Sequence, residues 1–164
     1  MNCLESNQIR AWAMERAIEV GDGAELLLPD LAPTLRGTYA QGSRSGREGN
    51  EARSLIAAPE PWDECLVEIT LTGVWASGED WPRFYAWRGG FEERRSLKTA
   101  PGHVFTAAEN TELASLVTMI MENAWDARLL FSRGGRADGA RAFISHDEWY
   151  EILGGVKRSN QDAG

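Results

Sequence analysis

A chain of 164 residues with 17 basic and 25 acidic side chains carries a net charge of −8, a balance that repels phosphate backbones and disfavours general nucleic-acid binding. Its 43% hydrophobic and 26% charged fractions are those of a soluble globular chain, long enough for one domain to bury a core without metal or disulfide staples. Two cysteines, Cys3 and Cys65, are too few for a secreted disulfide scaffold and point to a reducing, cytoplasmic setting.

The N-terminal run MNCLESNQIRAWAMERA has neither the positive region nor the apolar core of a signal peptide. No later apolar stretch approaches the ~18 residues of a membrane span. Ile9, Trp12, Ala13, Ala17 and Val20 fall at helical spacing, so a helix is expected over 7–20, capped by Ser6 and stopped by Gly21 and Gly23. Pro29 and Pro33 break any long element that follows. Residues 36–54, RGTYAQGSRSGREGNEARS, hold four glycines, four arginines and almost no apolar side chain. Such a segment buries too little surface to offset its ordering entropy, and a mobile loop is expected. Its functional alternative is a basic loop that orders on an anion, although its glycines match neither the Walker pattern nor the dinucleotide fingerprint.

In CLVEITLTGVWAS, Val67, Ile69, Leu71 and Trp75 alternate with Glu68, Thr70 and Thr72, which predicts a strand opened by Cys65 as a small buried hydrophobe. A turn at Ser77–Asp80 leads to WPRFYAWRGG, where Arg83, Tyr85 and Trp87 alternate with Phe84 and Ala86. A second strand over 82–88 is expected, paired with the first as a hairpin and ended by Gly89 and Gly90. The basic stretch FEERRSLKT fits strand or loop equally.

Thr106-x-x-Glu109 is a capping box that opens a helix running to Trp125, with Leu113, Leu116, Val117, Ile120, Met121 and Ala124 on one apolar face. ARLLFS and ARAFIS, separated by Arg133–Gly139, read as a second hairpin. Ser145-x-x-Glu148 repeats the capping-box spacing, so HDEWYEIL is expected as a closing helix ended by Gly154 and Gly155. Residues 156–164 form a polar tail. The expected fold is a single α+β domain over 1–155. It has an antiparallel sheet of four or five strands in two hairpins, with about three helices packed on one face.

The densest chemistry is Ser145-His146-Asp147-Glu148-Trp149. Capping and the helix macrodipole account for Ser145, Asp147 and Glu148, and the apolar face for Trp149, which leaves His146. On a helix His146 and Asp147 diverge by about 100°, too far apart for an orienting bond. His103 is the second imidazole, and no H-x-x-x-H or C-x-x-C spacing occurs, so neither a metal nor a cofactor is expected. GSRSG at 42–46 resembles a nucleophile elbow only superficially, since it lacks the flanking strand and helix. Asp63–Glu64 and Glu79–Asp80 flank strand ends, where carboxylates are ordinarily solvated.

Seven tryptophans exceed what one small core of this length readily houses, and residues 59–82 carry six acidic and no basic side chains. Aromatic anchors rimmed by carboxylates describe a docking surface for a basic protein. Trp75, Trp81 and Trp87 would anchor the contact, and Glu60, Asp63, Glu64, Glu79 and Asp80 would steer it. The expectation is a non-catalytic interaction module without membrane or nucleic-acid partners. One version, by analogy of size and charge alone, is a bacterial immunity or antitoxin-type inhibitor that masks a basic protein. An alternative is a small enzyme or anion-ligand-binding domain, with Arg36, Arg44 or Arg47 gripping an anion and His103 or His146 as base. A third is a structural subunit whose extra tryptophans fill a homo-oligomeric interface.

Overall fold

In chain order the elements are β1 (Asn2–Leu4), α1 (Ser6–Glu15), β2 (Glu19–Val20), β3 (Leu26–Leu27), β4 (Pro33–Thr38), α2 (Arg47–Ala57), β5 (Glu64–Leu71), α3 (Trp81–Gly89), β6 (Gly102–Thr106), a 3-10 turn (Ala107–Glu109), α4 (Asn110–Glu122), β7 (Asp126–Arg133), β8 (Arg136–Ser145) and β9 (Trp149–Gly154). The computed structural model describes residues 1–23, 25–28, 30–39, 47–74 and 78–154, with the backbone alone for Arg47 and Asp138.

Strand β5 sets the architecture. Cys65, Leu66, Val67 and Ile69 are all buried, so its middle is apolar on both faces of the pleat. A strand of that kind needs cover above and below. It lies inside a seven-stranded sheet of order β1-β6-β5-β7-β8-β9-β4, antiparallel at every described pairing. On one face, Leu55 and Ile56 of α2, Phe84 of α3 and the apolar stripe of α4 pack against Val67, Ile69, Phe105 and Leu129. On the other, Ile9, Trp12 and Ala13 of α1, with Leu26 of the β2–β3 ribbon, cover Leu4, Leu66 and Leu130. The fold is α+β, and its helices lie on both faces of the sheet rather than one.

Helix α4 follows its expected pattern. Thr106 and Glu109 make the reciprocal capping box, and Leu113, Leu116, Val117, Ile120 and Met121 are completely buried. Each such side chain contributes roughly 1.5–3 kcal/mol of transfer free energy. The β7–β8 hairpin and the burial of Cys65 also agree with the sequence pattern.

Other expectations need correction. The sheet has seven strands, not four or five: β1 and β6 carry too few residues to show a period, β4 is exposed along most of its length, and β9 reads as a helix in the sequence. Residues 82–88 are helical: Asp80 accepts the Arg83 amide as N-cap, Pro82 sits in the first turn, and Phe84 and Arg88 point inward at i and i+4. β5 therefore pairs with β6 and β7 rather than with 82–88. Helix α1 is capped by Glu5, not Ser6, and ends before Ala17, whose φ of 64° reverses the chain into β2.

The expected loop at 36–54 holds the end of β4 and most of α2, and Ala52, Leu55 and Ile56 supply the buried face. Residues 40–46, with Arg44 and GSRSG, lie outside the described residues, as do Trp75 and 155–164. Finally, Ser145–Glu148 forms a turn, not a helix start. The Glu148 amide donates to the Ser145 carbonyl, Glu148 has a φ of 63°, and β9 returns alongside β8 with Tyr150 and Ile152 facing the core.

Candidate functional site

Past Ile69, β5 runs beyond the rim of the core, and Leu71 emerges 42% exposed. Helix α3 lies beside this end, and the segment around Leu97 closes the far side. Together they form a groove of about 390 Å3 lined by Ile69, Leu71, Trp81, Tyr85, Leu97 and Lys98, with Pro101 and nearby hydroxyls. Tyr85 is 40% exposed, as is Val74 just beyond the strand.

The aromatic wall is fixed from behind. Glu79 accepts hydrogen bonds from the indole Nε1 of Trp81 (2.8 Å), the indole Nε1 of Trp125 (2.6 Å) and the amide of Gly73 (2.6 Å). Trp125 is wholly buried, so one carboxylate ties the exposed wall to the core. Trp81 then stacks on Tyr85 with ring centres 5.8 Å apart and lies 4.8 Å from Trp125. The Tyr85 hydroxyl accepts from the Leu97 amide at 3.3 Å. An apolar wall held this firmly loses little freedom when something binds it.

The one charged side chain among the described residues lining the groove is Lys98, and two carboxylates lie beside it. Asp80 is exposed, and Asp126 stands directly across from Leu71 on β7, against the one amine of Lys98. Asp126 also organises the following turn: it accepts the His146 amide at 2.6 Å and faces His146 Nδ1 at 2.8 Å. Asp147 lies 3.6 Å from His146 Nε2. The Asp126 hydrogen bond, opposed by slight desolvation and reinforced by both carboxylates, raises the His146 pKa above its ordinary value. His146 thus has an orienting carboxylate, supplied by Asp126 from another strand.

The residues nominated from sequence are only partly brought together. Trp81 lines the groove, Glu79 anchors it and Asp80 caps the helix that carries it. Trp87 lies a turn further on, half-buried against Phe84, Phe91, His103 and Phe105. Asp63 and Glu64 lie at the opposite end of β5, about 23 Å of strand away. There Asp63 accepts the Gly134 amide and Glu64 pairs with Arg16 at 2.6 Å. Tyr85, Leu71 and Leu97 were not nominated. Leu71 read as a core residue, and Leu97 fell in a stretch without a pattern.

Of the alternative site residues that are described, Arg36, His103 and His146 line no common groove. His103 is wholly buried in β6, while Arg36 is exposed at the sheet edge and pairs with Glu151 at 3.3 Å. Arg36 lines a groove of about 500 Å3 with Gly37, Thr38, Trp149, Tyr150 and Glu151, without either histidine. A third groove, about 570 Å3 between α2 and α4, is lined by Arg53, Arg83 and hydroxyl side chains. Ser115 and Thr118 there donate to carbonyls of their own helix, and Arg83 pairs with Glu122 at 2.5 Å. Among the described residues no group of three metal-ligating side chains occurs, and no helix is long and apolar enough to cross a membrane.

The chain matches no known family, no curated protein and no solved structure.

Proposed function

We propose that this protein is a non-catalytic interaction module that seats an apolar or aromatic side chain of a basic protein partner in the groove between β5, α3 and the segment around Leu97. The observation that carries this reading is the exposure of Leu71 and Tyr85 on either side of a groove whose Trp81 wall is locked by Glu79. Preformed aromatic clefts of this kind are where interface energy concentrates. The net charge of −8 and the carboxylates Asp80 and Asp126 near the groove attract a basic surface and speed its encounter. The action is then stoichiometric: the module covers part of its partner, as an immunity or antitoxin-type inhibitor does.

A photo-crosslinking amino acid placed at Tyr85, and separately at Met14 on the far side of the sheet, tests the reading in the host cell. The reading expects one basic protein captured from Tyr85 and not from Met14. Equal capture from both positions, or capture of acidic proteins alone, would contradict it.

A further inference from the structure

Asp126 belongs to two neighbourhoods at once, the groove and the turn that carries His146. As the first residue of β7 it is the register partner of Leu71, which lines the groove. Its Oδ1 also accepts the His146 amide at 2.6 Å and faces His146 Nδ1 at 2.8 Å. The amide bond holds the start of the turn against β7, so the ring meets the carboxylate in either charge state. A neutral ring donates from Nδ1 alone, an imidazolium from both nitrogens. Protonation therefore changes the charge beside the groove and leaves the contact in place.

The charged and titratable groups around His146 come from three parts of the chain. Asp126 is on β7. Asp147 lies 3.6 Å from Nε2 within the turn, which Glu148 closes. Tyr39, just past β4, donates its hydroxyl to the Ser145 carbonyl. Burial first, then Asp126, Glu148 and Asp147, push the Tyr39 hydroxyl up, so it stays a neutral phenol. The Asp126 hydrogen bond holds the His146 pKa above its ordinary value of 6.5. His103, wholly buried and held down at about 3, is neutral around physiological pH. Of the two imidazoles, His146 is thus the one whose charge changes there.

We propose that His146 is a proton switch on the groove: protonated, it cancels the Asp126 charge beside Leu71, and deprotonated, it returns that charge to the approaching partner. The switch rests on the groove being the docking surface for a basic protein. Lysine and arginine on such a partner keep their charge across this range, so the pH dependence originates in the module. A basic partner and the proton compete for the same carboxylate, and docking tightens as pH rises. The coupling is reciprocal: docking lowers the His146 pKa by the logarithm of the factor by which deprotonation tightens docking.

The peptide acetyl-Lys-Lys-Trp-Lys-Lys-amide, titrated into the full chain at low ionic strength, tests this, with groove occupancy read from the NMR shifts of the Tyr85 ring. Its Kd should tighten roughly two- to fivefold from about pH 5.5 to 8.5, the effect of one charge acting across a partly aqueous gap. The His146 pKa should fall by the matching amount when the peptide is saturating. In His146→Gln the pH step should vanish, and in Asp126→Asn it should move to lower pH along with the ring's pKa. If a variant does not fold, the two measurements on the unaltered protein decide. A peptide that shifts Tyr85 with the same Kd at every pH, or a step that survives in His146→Gln, overturns the switch and leaves the groove standing. A peptide that never moves the Tyr85 resonances overturns the switch and the docking reading together.

Discussion

The two histidines titrate in opposite directions, for reasons visible in their surroundings. Burial first, and the charge of Arg88 second, hold His103 down at about 3; the Pro101 and Val67 carbonyls and Glu93 pull weakly the other way. An unfolded chain takes up that proton below about pH 6.5, whereas the folded one refuses it, so stability falls with pH by at most ~1.4 kcal/mol per unit. Replacing His103 with Phe should flatten this part of the acid limb, measured by urea unfolding from pH 7 to 4. His146 behaves inversely, because its hydrogen bond to Asp126 raises its pKa. Its contribution is complete below the unfolded value near 6.5 and lost as pH rises through the folded one. In Asp126→Asn the His146 pKa, followed by NMR, should drop; an unchanged titration would mean that Asp126 does not hold the ring.

At the level of elements, Glu79 is the pivot. Glu79→Ala strands the N–H of the buried Trp125 and frees Trp81, and is expected to destabilise by about 1–3 kcal/mol. Urea unfolding checks this, and Trp emission should shift as the aromatic wall loosens. In α4, Leu116→Ala should cost roughly 2–5 kcal/mol, because Leu116 is wholly buried between helix and sheet.

The contrast between α4 and its neighbours explains what the sequence could reveal. Helix α4 was legible because cap, length and one-sided apolar stripe agree. β9 was not: Trp149, Ile152 and Leu153 mimic a helical face, whereas Tyr150 and Ile152 carry the alternation that the sheet uses. α3 failed in the reverse sense, since Phe84, Tyr85, Ala86 and Trp87 alternate while Asp80 and Pro82 mark a helix start. Short elements cannot separate a period of 2 from one of 3.6, and the strands that pair with them decide.

Across the whole molecule, Trp81, Glu79 and Asp80 are the residues singled out from sequence that lie at or beside the groove. The groove itself depends on three segments meeting, with Leu71, Tyr85 and Leu97 contributed by parts of the chain up to 26 positions apart. Composition cannot show such a meeting. It did separate the charges, and that separation carries a prediction about rates. Association with the partner captured at Tyr85 should slow as salt rises, while dissociation changes little. Stopped-flow mixing at several ionic strengths checks it, and a salt-independent on-rate would remove the steering role of the carboxylates.

If the groove supplies the binding energy, Leu71→Asp removes it. Leu71 is 42% exposed, so its replacement should leave Tm nearly unchanged, and the added carboxylate can only strengthen attraction to a basic protein. Calorimetric titration of the captured partner is nevertheless expected to show affinity weakened roughly 30-fold or more, the loss of one interface hot spot. An unaltered or tighter Kd would place the interface elsewhere on the protein.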